Sequence, residues 1–243
     1  SKFSKLCPAA LFSTPLRGRK TQGIISNLLI KKSQGYNMEK AKNVEEYIAQ
    51  QRAGIASNPE CGTSHYNLAV ALIGLKQFDE AEKELQDAIN CSPSLAEAYV
   101  QLGGLCLQRG DLDGCLYYNT QAIHSRAGFS EGYGNIGFIH LQKGNLDESI
   151  AALKKAIAYN SSFLQAYTTL ANAYLMKDLV VESIAANLKA IEIEPNFAVA
   201  HNNLAIAYME NGQFDKAVEH CNKAIELGYT VAPEILQELE QYK

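Results

Sequence analysis

Apolar and small positions along this chain recur with a period of 34 residues. Tyr99, Tyr133 and Tyr167 stand 34 apart, as do Leu68, Leu102, Ile136, Leu170 and Leu204. The same step separates Ala88, Ala122, Ala156, Ala190 and Ala224, and a small residue returns at Ala69, Gly103, Gly137, Ala171 and Ala205. A fixed period in this range is the mark of a stacked-repeat architecture. Five units follow, at 62–95, 96–129, 130–163, 164–197 and 198–231.

Each unit reads as two helices. Leu68, Ala69, Leu72 and Ile73 form one stripe at helical spacing, and Phe78, Ala81, Leu85, Ala88 and Ile89 form a second. Between the stripes lie Lys76-Gln77, Arg109-Gly110-Asp111, Lys143-Gly144-Asn145 and Asn211-Gly212-Gln213. Glycine there predicts a left-handed end to the first helix. Pro93 and Pro195 follow the second helix and stop it. The small residues predict close contact between the two helices of a hairpin. No strand pattern occurs. One hairpin cannot bury its own apolar face, so a core requires stacking.

Both ends read as caps. Met38–Ala56 carries Val44, Tyr47, Ile48 and Ile55 on one stripe before Asn58-Pro59, giving an N-terminal capping helix or half-repeat over 38–61. Residues 232–243 carry Ile235, Leu236 and Leu239 among Glu234, Glu238 and Glu240, an amphipathic terminal helix over Pro233–Tyr242.

Charge sets the first 37 residues apart. They hold seven Lys and Arg and no acid, so residues 38–243 carry 15 basic and 26 acidic side chains. The segment also lacks sustained helical or strand periodicity. We expect a disordered basic extension, with an organelle transit peptide as the alternative for an Arg- and Ser-rich, acid-free stretch. Localisation is accordingly expected to be cytoplasmic, or an organelle matrix if residues 1–37 act as a transit peptide. The whole chain has a net charge of −4, which disfavours specific nucleic-acid binding. No apolar run is long enough to span a bilayer. Six cysteines without a CxxC pair read as free thiols.

The unit pattern resembles the tetratricopeptide repeat (TPR) family. Unit 164–197 matches with Tyr167, Leu170, Ala171, Tyr174, Ser183, Ala190 and Pro195, and unit 62–95 with Leu68, Ala69, Leu72, Ala81, Leu85, Ala88 and Pro93. There are departures. His65 and His201 take the opening aromatic place, and Cys106 and His140 take that of the inner tyrosine. Cys115 replaces an alanine, while Asn119, Asn187 and Cys221 replace a large apolar residue. The resemblance implies an all-α, right-handed solenoid of about five hairpins whose first helices line a concave groove.

That placement also implies a site. The sixth place of each unit reads Asn67, Gln101, Asn135, Thr169 and Asn203. The four amides are similar to the asparagine ladder in the TPR domain of O-GlcNAc transferase, which holds peptide backbones. An amide offers a donor and an acceptor together, as a peptide unit requires. Around it the implied groove is neutral, with Val70, Phe138, Asn172 and Ile206. The cations that clamp Hsp70 and Hsp90 C-terminal tails in TPR co-chaperones are missing from these places. The expected partner is therefore another protein or peptide segment, and the expected role a non-enzymatic interaction scaffold. An accessory subunit of a larger complex, or the TPR arm of an enzyme whose catalytic domain lies elsewhere, are the alternatives. Oligomeric state is left open.

No catalytic, cofactor or metal residues are assigned. Gly132-Tyr133-Gly134-Asn135-Ile136-Gly137 is a formal GxGxxG, but it lies inside a predicted helix rather than at a strand–helix turn. His201, His220 and Cys221 have no standard metal-ligand spacing. Packing is the better reading of His65 and His201, and buried inert thiols that of Cys106 and Cys115.

Overall fold

In a computed structural model the structure describes residues 43–242. Among these the chain forms twelve α-helices and a terminal 3₁₀ turn, without strands. They are α1 (Val44–Ser57), α2 (Gly62–Gly74), α3 (Phe78–Cys91), α4 (Ala96–Gln108), α5 (Leu112–Ser125), α6 (Ser130–Gln142), α7 (Leu146–Tyr159), α8 (Leu164–Met176), α9 (Val180–Ile193), α10 (Ala198–Glu210), α11 (Phe214–Glu226) and α12 (Pro233–Leu239). The 3₁₀ turn is Glu240–Tyr242, so the terminal helix is one α segment ending at Leu239 rather than a continuous one to Tyr242. Even-numbered helices from α2 to α10 are the first helices of the five units, and odd-numbered ones from α3 to α11 the second. The basic segment 1–37 and the expected helix start at Met38 lie outside the described residues.

Helix α1 begins after Asn43, whose extended backbone (φ −157°) lets its side chain accept the Glu46 N–H at 2.8 Å. A helix running unbroken from Met38 is therefore excluded at Asn43. The chain divides into two compact units between Gly132 and Tyr133.

In the N-terminal unit, α2 and α3 close on a core of Leu68, Ala69, Leu72, Leu85 and Ala88, all at most 1% exposed. Tyr47 and Ile48 of α1 join it. A second cluster joins Ala96 and Val100 of α4, Ala122 of α5 and Phe129. In the C-terminal unit, Leu153 and Ala156 of α7 pack with Ala166 and Leu170 of α8. Leu204, Ala205, Ala217, Cys221 and Ala224 pack with Ile235 and Leu239 of α12.

The recurring small residues are places of close approach. A methyl on Gly137 would lie 2.5 Å from Leu153 Cγ, and Ser149 Oγ donates to the Gly137 carbonyl at 2.7 Å. Gly134 is closed in the same way by the ring of Phe163, whose Cε1 would lie 2.7 Å from an added Cβ.

The turns within hairpins divide by residue type. Gly110, Gly144 and Gly212 adopt φ of 81°, 77° and 70°. Lys76 and Asp178 occupy the same place in their units at 62° and 59°. A side chain costs about 1–2 kcal/mol in that left-handed region.

Candidate functional site

The ladder residues fall on first helices, two in the N-terminal unit and three in the C-terminal unit. In the N-terminal unit Asn67 and Val70 lie half-buried on α2, while Gln101 is buried on α4. Gln101 lies beside the Tyr66 side chain of α2, where its amide opposes the burial that raises the Tyr66 pKa.

In the C-terminal unit, Asn135 and Phe138 lie on α6, Thr169 and Asn172 on α8, and Asn203 and Ile206 on α10. Helix α8 packs directly on α10. Thr169 Oγ1 donates to the Gln165 carbonyl of its own helix at 2.7 Å. That bond turns the hydroxyl back along α8. Asn203 is 7% exposed and its neighbour Asn202 6%. Asn203 Nδ2 and Asn202 Oδ1 are both buried without a hydrogen-bond partner. An unpaired buried donor beside an unpaired buried acceptor is uncommon, because each loses its hydration for nothing.

The two histidines in the aromatic place do more than pack. His65 Nε2 lies 3.0 Å from the Pro59 carbonyl and its Nδ1 2.7 Å from Glu84 Oε2. His201 repeats the arrangement, with Nε2 2.9 Å from the Pro195 carbonyl and Nδ1 2.9 Å from His220 Nδ1. Each ring therefore brackets its hairpin, tying the preceding turn to the second helix. Burial pushes the His65 pKa down, but the bonds to Glu84 and the Pro59 carbonyl and the charges of Glu84 and Asp87 outweigh it, and the net direction is up. Sequence spacing alone conceals these pairs. The available signal was the 19-residue step, common to 65→84 and 201→220, which joins the fourth place of a unit to its second helix.

The GxGxxG run is confirmed as helical, since Tyr133–Gly137 falls within α6. Cys106 and Cys115 are buried thiols; burial and the neighbouring Cys106 push the Cys115 pKa up to about 12. Among the described residues no helix is long and apolar enough to cross a membrane.

Family models agree with this architecture. The tetratricopeptide repeat matches residues 48–96 and 198–227, and the TPR repeat matches 137–178. The TPR repeat-containing thioredoxin TTL4 of Arabidopsis thaliana is 33% identical over 82 residues, which are 34% of this chain and 12% of that protein. The chain thus corresponds to a small part of that relative.

Three solved structures share the fold. The Pseudomonas aeruginosa pilF structure has a TM-score of 0.72 at 15% identity, covering 92% of this chain and all (100%) of that one. YrrB, a TPR protein with an unusual peptide-binding site, has 0.62 at 17%, covering 79% and 97%. MamA has 0.59 at 24%, covering 66% and 94%. With its 34-residue period, its series of antiparallel hairpins and these matches, the chain belongs to the tetratricopeptide repeat family, with the all-α solenoid fold of that family.

Proposed function

We propose that the chain is a non-enzymatic interaction scaffold, whose first-helix face binds an extended segment of a partner protein. The observation that carries this reading is the pair on α10. Asn202 Oδ1 and Asn203 Nδ2, on consecutive residues of α10, are buried without a hydrogen-bond partner, with Ile206 one turn on. When these side chains turn outward, a peptide unit supplies an N–H for the first and a carbonyl for the second. Each bond formed is worth about 0.5–1.5 kcal/mol, more where it relieves a buried unpaired atom. Asn67 on α2 and Asn135 on α6 are further amides at the same place of their units, and Val70, Phe138 and Ile206 offer neutral apolar contact. The surroundings favour a segment of modest charge over an acidic tail.

The test is capture of partner from native lysate by the wild-type chain and by a chain carrying N67A, N135A and N203A. A partner retained by the first and lost by the second, with helicity unchanged, supports the reading. Equal capture by both rejects it. That second outcome favours a fixed accessory subunit, for which the outer helices offer exposed Tyr117, Tyr159 and Val181, each more than half exposed.

A further inference from the structure

We infer that the first hairpin holds a divalent transition-metal cation between α2 and α3, bound by His65 Nδ1, Glu84 and Asp87. The ligand atoms of these three residues all lie within 4.8 Å of one another. A metal with nitrogen and oxygen ligands at ~2.1 Å needs its donors gathered at this range. Glu84 and Asp87 stand three apart on α3 and so share one face of that helix.

Two features go beyond proximity. The tautomer is fixed: Nε2 faces the Pro59 carbonyl at 3.0 Å, so Nε2 carries the hydrogen and donates it. Nδ1 faces a second acceptor, the Glu84 carboxylate at 2.7 Å, so without metal it carries a proton and donates it to Glu84. A bound cation takes the place of that proton, with Nδ1 and the carboxylate oxygen as its donors, and the proton leaves to solvent. Donation of the second ring N–H to a backbone carbonyl is the usual way a protein orients a metal-binding histidine. His65 is also only 7% exposed, so its ring is held before any ligand arrives.

The fifth hairpin is a built-in contrast. His201 makes the same bond to the Pro195 carbonyl at 2.9 Å, but the places of Glu84 and Asp87 are filled by His220 and Lys223. A fixed lysine cation and a second neutral ring remove the anionic donors. The carbonyl–histidine bracket is thus a shared structural element, and only the first hairpin adds two carboxylates to it. An imidazole with two carboxylates suits Zn²⁺ or Co²⁺ and disfavours Cu⁺, which selects thiolates.

The experiment is a Co²⁺ titration of the full chain, followed by d–d absorption, with Zn²⁺ competition. We expect one equivalent of Co²⁺ to bind, to lack a thiolate charge-transfer band, and to be displaced by Zn²⁺. E84Q and D87N are each expected to weaken binding by about tenfold or more, with far-UV dichroism unchanged, and K223Q in the fifth hairpin to leave it unchanged. D87N is the variant least exposed to a folding defect, because Asp87 is half-buried and outside the apolar core. No absorption change at millimolar Co²⁺, a thiolate band, or undiminished binding by D87N would each overturn the assignment.

Discussion

His201 and His220 meet nitrogen to nitrogen, Nδ1 to Nδ1 at 2.9 Å, with their rings 5.1 Å apart. The Pro195 carbonyl takes the His201 Nε2 hydrogen, so neutral His201 accepts at Nδ1 and His220 donates from Nδ1. The Tyr208 ring stacks on His220 at 5.5 Å. Burial lowers the His220 pKa from its ordinary 6.5, the neighbouring His201 and Lys216 add to this, and Glu219 opposes it.

A depressed histidine has a definite sign. The unfolded chain takes up the proton near pH 6.5 while the folded one resists it. The stabilisation is therefore complete above pH 6.5 and is lost as pH falls from there toward the folded value. Its slope is limited to about 1.4 kcal/mol per pH unit for one proton. We expect His220→Gln, which keeps a donor for His201 without titrating, to lose less stability than wild type between pH 7.5 and 5.5. Urea midpoints at the two pH values check this, and equal losses would reject it.

Lys76 bears a side chain where three other units use glycine. Replacing it by glycine removes a left-handed penalty of about 1–2 kcal/mol and restores about 0.5–1 kcal/mol of unfolded-state freedom. The expected net effect of Lys76→Gly is stabilisation by about 0.5–1 kcal/mol. Gly144→Ala should destabilise by a similar or larger amount. Shifts of urea midpoint at constant m-value distinguish both from no effect.

Asn187 is fully buried at the place that Leu85 and Leu153 occupy in other units. Its Nδ2 donates to the Ser183 carbonyl at 3.2 Å, but Oδ1 has no partner. Ala171 lies opposite in sequence register, as Ala69 does for Leu85. Asn187→Leu is expected to stabilise the chain by about 1–2 kcal/mol, since an unpaired buried oxygen gives way to apolar contact. Thermal melting of this single variant is sufficient, and a lowered midpoint would contradict the register argument.

Thiol reactivity should separate the cysteines. Cys61 lies at the start of α2, and hydrogen bonds from Ser64, side chain first and then backbone, hold its pKa below the ordinary 9.0. Burial pushes Cys106 up, and Cys115 further, to about 12. Under iodoacetamide at pH 7.5, Cys61 should be alkylated well before Cys106 and Cys115, which should react only as the hairpin opens. Peptide mass mapping against time reads the order directly.

The hairpin series was legible because stacking demands the same small and apolar residues every 34 positions. Leu68 through Leu204 and Ala88 through Ala224 mark it without help from local propensity. The helix expected over Met38–Ala56 begins at Val44, because Asn43, three residues before Glu46, leaves helical backbone to cap it. The site was only partly legible. Sequence places an amide at position 101 or 203, but not that Gln101 lies beside Tyr66 or that Asn203 Nδ2 is buried without a partner. Thr169 folding back onto Gln165 is a rotamer choice set by packing. The His65–Glu84 and His201–His220 pairs need the hairpin to close before residues 19 apart can touch.

Phe163 resting on Gly134 sets the third unit apart from its neighbours. The corresponding places in the other first helices hold Tyr66, Val100, Thr168 and Asn202, each with a side chain where Gly134 has none. Phe129 and Phe197 end the second and fourth units at the place of Phe163, and Phe129 packs in one cluster with Val100. A ring at that place thus accommodates a neighbouring side chain, and over Gly134 it gains a bare backbone instead. The shared 34-residue plan therefore leaves room for one joint to be drawn tighter than the rest by the loss of a single Cβ.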